Sequence, residues 1–136
     1  MRLNPDCVRD ILLEVEAQTD YSTALKYDRA ESVPDRFRKY SHDELIYHIS
    51  QCDKAGLIEV MTYSWGGDLV MISDLTPDGH EFLANTRKNE IWEGTKAIAG
   101  KVGSASLSAL VQIASNVVTE LIKAQFGLGS LPPQQI

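Results

Sequence analysis

Cysteine, proline and aromatic side chains are all scarce in this 136-residue chain, and positive charge is outnumbered. Two cysteines, Cys7 and Cys52, cannot build a disulfide framework and suit a reducing compartment. Thirteen Lys and Arg against nineteen Asp and Glu leave a net charge of −6. Non-specific binding to a polyanion needs clustered positive charge, which this balance does not favour. No apolar signal-peptide core follows Met1. The longest uncharged stretch, Val102–Thr119, contains Ser104, Ser106, Ser108, Gln112, Ser115 and Asn116, which gather away from its apolar residues. It reads as an amphipathic helix rather than a membrane span, and the expected location is cytoplasmic.

Catalytic signatures are missing too. There is no G-x-S-x-G elbow, no H-E-x-x-H and no dinucleotide glycine fingerprint. Gly94–Lys101 has one residue too many between its glycines for a phosphate loop, and Val102 stands where Ser or Thr would bind magnesium. Glu44, His48 and Cys52 share a helix face, but a zinc site needs at least three ligands and no second pair accompanies them. A buried cysteine and a hydrogen-bonded histidine are the expectation there, and Cys7 falls in an apolar register that fits packing better than nucleophilic chemistry. The chain is expected to be no enzyme and to hold no cofactor or metal.

What is present is a series of well-punctuated elements. Asn4 caps a helix with Pro5 at its first position, and Val8, Ile11, Leu12 and Val15 repeat at helical spacing to about Gln18. Leu25-Lys26-Tyr27 reads as a short strand. Ser41-His42-Asp43-Glu44 is a capping box, followed on one face by Leu45, His48, Ile49, Cys52 and Ala55, and Gly56 sits where a left-handed residue would end the helix. Leu57–Tyr63 and Leu69–Ile72 read as paired strands around the turn Trp65-Gly66-Gly67-Asp68. Thr76-Pro77 opens a further helix with Phe82, Leu83 and Thr86 inward. Glycines 94, 100 and 103 predict a hinge over residues 91–105 with a short helix around Thr95–Ala99. A long amphipathic helix follows over 106–126, and a disordered tail over 127–136.

The order helix, strand, capped helix, two-stranded wing, helix resembles a winged-helix domain, so the expected class is α+β: a winged-helix domain over 1–90 followed by a C-terminal amphipathic helix. Leu45–Ile58 is similar to a recognition helix running into a wing strand, and Leu75-Thr76-Pro77-Asp78-Gly79-His80-Glu81-Phe82-Leu83 to the passage after the wing. With the opening Leu3–Leu13, these passages resemble a domain-of-unknown-function family of short bacterial and phage proteins. The resemblance implies a fold and carries no activity.

A winged helix reads DNA through the start of its second helix-turn-helix helix. Here that end carries Asp43 and Glu44, the turn at 64–68 has no Lys or Arg, and only Arg36–Lys39 could be a remnant of the supporting helix. Arg29, Arg36, Arg38, Lys39 and His42 are the candidate nucleic-acid contacts of a DNA-binding regulator, which is the alternative reading. The leading expectation is a non-enzymatic interaction protein of phage or prophage type. Its last helix carries a stripe of Leu107, Leu110, Val111, Ala114, Val117, Val118, Leu121 and Ile122, expected to pair with a second copy or another protein. Trp65, in a glycine turn, is the second candidate contact.

Overall fold

The computed structural model describes residues 1–103 and 106–127. It is an α+β structure whose contacts divide it into two compact units, Met1–Leu83 and Ala84–Ile136.

The first unit begins with α1 (Pro5–Gln18), started by the Asn4 side chain accepting the Asp6 N–H. Its buried face carries Val8, Ile11, Leu12 and Val15, the residues at three-four spacing, together with Cys7 and Glu14. β1 (Leu25–Asp28) follows, then a single 3₁₀ turn at Asp35–Phe37 that drives Phe37 into the core. α2 (His42–Lys54) starts with the full capping box: Ser41 Oγ accepts the Glu44 N–H, and Glu44 Oε1 accepts the Ser41 N–H. It ends in a Schellman motif, with the Leu57 N–H on the Cys52 carbonyl and the Gly56 N–H on that of Asp53, while Gly56 takes φ 75°.

β2 (Ile58–Ser64) and β3 (Leu69–Leu75) pair antiparallel, and β1 joins on the far side of β3, giving the order β1-β3-β2. Two bulges interrupt the β2–β3 ladder, leaving Ser73 extra on β3 and Met61 extra on β2. They cancel, so the register after them equals the register before. The extra Ser73 also lets Ile72 and Leu75, three apart, both be buried; an unbroken strand would send them to opposite faces. Val70, Ile72 and Leu75 face the core with α1 and α2, whereas Leu69 and Met71 lie on the half-covered outer face.

α3 (Pro77–Thr86) is capped by Thr76, whose hydroxyl accepts the Gly79 N–H and donates to the Gly56 carbonyl. Phe82, Leu83 and Thr86 are buried as their spacing predicts. Gly79 allows the helix to lie against the chain at Leu57: a Cβ there would sit 2.0 Å from the Leu57 carbonyl oxygen. The leucine-threonine-proline-x-glycine passage is therefore a docking device between the end of α2 and the start of α3.

The second unit corrects the hinge expected over 91–105. Residues Asn89–Val102 form one continuous helix, α4, whose buried face is Trp92, Thr95 and Ala99. Gly94 and Gly100 each cost a helix about 1 kcal/mol relative to alanine, which a buried tryptophan offsets. Only Gly103 acts as a stop, at φ 71°. The compact division correspondingly falls at Leu83, earlier than residue 90. α5 (Leu107–Gln125), capped by Ser106, packs on α4 through Leu107, Leu110 and Ala114. The expected tail lies, apart from Gly127, outside the described residues, as do residues 104 and 105 of the expected hinge.

Candidate functional site

The basic residues of the 29–42 segment are each met by an acidic partner. Arg36 is held by Glu14 at 2.6 Å, Lys39 by Asp10 at 2.9 Å, Arg38 by Asp35 at 2.9 Å and Arg29 by Asp68 at 3.4 Å. Glu14 is almost fully buried and also accepts from Gln18 Nε2 at 2.7 Å; Asp10 accepts from Tyr40 Oη at 2.6 Å. Burial and the Asp10 carboxylate both push the Tyr40 phenol far above its ordinary value, so this hydroxyl stays a donor. α1 thus presents a row, Asp10 and Glu14 one turn apart, that ties down the loop after β1. His42 completes the set differently: its ring stacks on Tyr27 at 5.7 Å, Nδ1 meets the Tyr27 hydroxyl at 2.7 Å, and Nε2 faces Asp68 at 3.4 Å.

Asp68, which the sequence reading passed over as a turn residue, is therefore a junction. Its carboxylate meets Arg29 and His42, and its carbonyl accepts the Arg29 N–H at 2.8 Å, joining the strand turn to the 29–42 segment. Glu14 was likewise unmarked, because its partner lies 22 residues away. A carboxylate in the middle of an otherwise apolar helix face was the one available signal.

The metal-like trio on α2 is structural. His48 is buried and its Nδ1–H donates to the Glu44 carbonyl at 2.7 Å, while Nε2 accepts the Asn4 N–H at 2.8 Å. Both nitrogens are in use, and the pair of bonds fixes the neutral tautomer and pins the start of α1 to α2. Burial pushes the Cys7 thiol up to about 12 and that of Cys52 higher still, which makes both poor nucleophiles. Among the described residues no group of three or more His, Cys, Asp or Glu is arranged to hold a metal. Gly94–Lys101 lies within α4 and forms no loop.

Among the exposed apolar side chains of the described residues, two features concern the candidate contacts. Trp65 is 81% exposed and adopts φ 56°, a left-handed conformation unusual for a bulky side chain, followed by Gly66 and Gly67 at 65° and 96°. The turn is held on its other side, where Gly67 lies against the Ile46 side chain of α2. Tyr63, by contrast, is tied to α2 through Asp53 at 3.0 Å.

The second feature is the far end of α5. Of the eight residues expected at an interface, Leu107, Leu110 and Ala114 are buried within their own chain, and Val111, Val117 and Val118 are half-buried. Leu121 and Ile122 remain 50% and 51% exposed, and Phe126, which the stripe omitted, 73%. α4 has 14 residues against 19 in α5, so it is too short to cover the whole stripe. By length and composition alone, α5 is also long and apolar enough to cross a membrane.

These observations define a small α+β protein: helices around a three-stranded antiparallel sheet, followed by a pair of packed helices. The chain belongs to the family described as "Hypothetical protein (DUF2513)", whose model matches residues 2–106. It is also similar to an uncharacterized protein of Haemophilus influenzae, 32% identical over 124 residues, which cover 90% of this chain and 99% of that relative. A match of that length in a 136-residue chain must take in α4 and most of α5, so the last helix has a counterpart there although the family model stops before it. No solved structure matches.

Proposed function

We propose that this protein is a non-enzymatic winged-helix interaction module of the cytoplasm that works by binding protein and self-associates through the far end of α5. The winged-helix part of the reading is supported by the succession α1, β1, a short 3₁₀ turn, α2, β2 and β3, and by the sheet order β1-β3-β2. The observation that carries the association is the partial cover of α5: the stripe continues past Ala114 into Leu121, Ile122 and Phe126, which stay half-exposed or more. Bringing the half-exposed Leu121 and Ile122 into contact contributes roughly 1 kcal/mol each, and a twofold contact counts every residue twice. A second copy fits better than a bilayer, because Gln112, Asn116, Thr119, Glu120 and Lys123 line the opposite side of the helix and would lose water in hydrocarbon without gaining partners.

Light scattering on the purified chain tests this. The wild type should run as a dimer or larger, and Leu121→Asp with Ile122→Asp should reduce it to a monomer with an unchanged far-ultraviolet spectrum. A monomeric wild type, an unchanged mass in the variant, or co-flotation of the wild type with lipid vesicles would each overturn the proposal.

The DNA-binding regulator remains the second reading, drawing on the same order of elements. Against it stand the ion pairs of Arg29, Arg36, Arg38 and Lys39, which leave little uncompensated positive charge to meet phosphates. A mobility shift at low salt would favour it.

A further inference from the structure

The Trp65 turn carries an inference independent of α5. Trp65 stands at one wall of a surface cavity of about 430 Å³ lined also by Asp28, Arg29, Ala30, Asp68 and Leu69. A left-handed backbone strains a bulky residue, a cost that glycine at the same position would not carry. Packing does not account for the tryptophan, since the residue is 81% exposed and it is Gly67 that lies close against Ile46 of α2. A large, strained, solvent-facing aromatic wall is the form that a contact residue takes.

We propose that this cavity receives an arginine or lysine side chain of a partner protein, its cation lying over the Trp65 indole and between the carboxylates of Asp28 and Asp68. The charge of the lining decides the sign of the ligand. Two carboxylates and one guanidinium surround the cavity, and the chain as a whole carries −6. An acidic side chain or a phosphate would meet both aspartates at close range. A cation meets them favourably, and the ring face attracts it as well. Asp68 can accept it because, of its two partners, Arg29 is easily exchanged: that pair is 3.4 Å long with both side chains largely exposed, a geometry of small net stability, and His42 lies at 3.4 Å from the same oxygen. Asp28 keeps its shape in the exchange, since its Oδ1 holds the Ala30 N–H at 2.9 Å. The aliphatic stem of the incoming side chain would lie along Leu69 and Ala30. This proposal does not depend on α5.

Three capped tripeptides, acetyl-Gly-X-Gly-amide with X as arginine, its neutral isostere citrulline, or glutamate, test the site by heteronuclear NMR on the full chain. The arginine peptide should shift the Trp65 indole N–H and the amides of residues 28–30 and 68–69, with an affinity about five-fold above that of the citrulline peptide. Trp65→Gly should abolish those shifts on residues 28–30 and 68–69 while the rest of the spectrum, and the thermal midpoint, stay or improve, because glycine suits this backbone. Asp28→Asn should erase the preference for arginine over citrulline. Equal response to arginine and citrulline, stronger response to glutamate, or shifts produced by a short single-stranded oligonucleotide instead would overturn the proposal.

Discussion

The two compact units hold themselves together by different means. In Met1–Leu83 the packing of apolar faces is supplemented by polar ties between specific partners: His48 joins α1 to α2, Glu14 and Asp10 hold the loop after β1, and Gly79 lets α3 rest on the Leu57 carbonyl. In the second unit α4 and α5 meet through a stripe, and two of its ion pairs, Lys96–Glu93 and Lys123–Glu120, run along single helices. Polar ties have fixed partners and leave little over. An apolar stripe has no such stopping point, and in α5 it runs on past the helix that covers it. The first unit thus ties its helices and loop to one another by its own chemistry and leaves Trp65 exposed at a turn, whereas in the second the stripe of α5 keeps an unfinished face.

Substitutions can break or sharpen this contrast. The largest effect should come from Gly79→Ala, since the added methyl would fall 2.0 Å from the Leu57 carbonyl oxygen and force α3 away from its seat. Denaturant unfolding should record a loss of roughly 3 kcal/mol or more; a loss under 1 kcal/mol would mean that α3 is not held by close approach. Next in size is Arg36→Met, which leaves the buried Glu14 carboxylate with Gln18 alone. It should cost about 2 kcal/mol, less than a fully buried pair because Arg36 is partly exposed. Adding Glu14→Leu should restore most of that loss, since an apolar pair leaves no stranded charge; failure to restore would show that the tie does more than balance charge.

A smaller and opposite effect is expected in the second unit. Gly100→Ala introduces a methyl with nothing within 4 Å and should raise stability by about 0.5–1 kcal/mol, seen as a higher thermal midpoint. A decrease would imply that this surface of α4 is already in contact with something. Smallest of all should be the effect of Leu121→Asp on the unfolding of the isolated chain, within about 0.5 kcal/mol for a half-exposed position, even where it changes the mass of the assembly.

The legible part of the fold was the part written in local chemistry. Pro5 after Asn4, the Ser41–Glu44 box, Gly56 after Ala55 and Thr76 before Pro77 each act within four residues, and the helices they delimit form at those places. Glycine misled in 91–105 because a helix tolerates it at modest cost when the other face is buried, and burial is not visible from inside the segment. The basic candidates were legible as charges and illegible as pairs. Nothing near Arg36 announces Glu14, and nothing near Arg29 announces Asp68, 39 residues later. Trp65 could be marked as exposed from its glycine neighbours, but its left-handed backbone could not.

Composition, caps and apolar spacing by themselves determined that this is an acidic α+β chain with a helix over about 5–18, one between the Ser41 box and Gly56, one over about 106–126, and a paired strand turn around Gly66, because those signals operate between residues a few positions apart. Which carboxylate neutralises which cation, and how far along α5 its neighbour reaches, only the tertiary structure decided. Both depend on where separate elements come to rest, and the energies that settle this belong to groups that meet in space after the chain has folded.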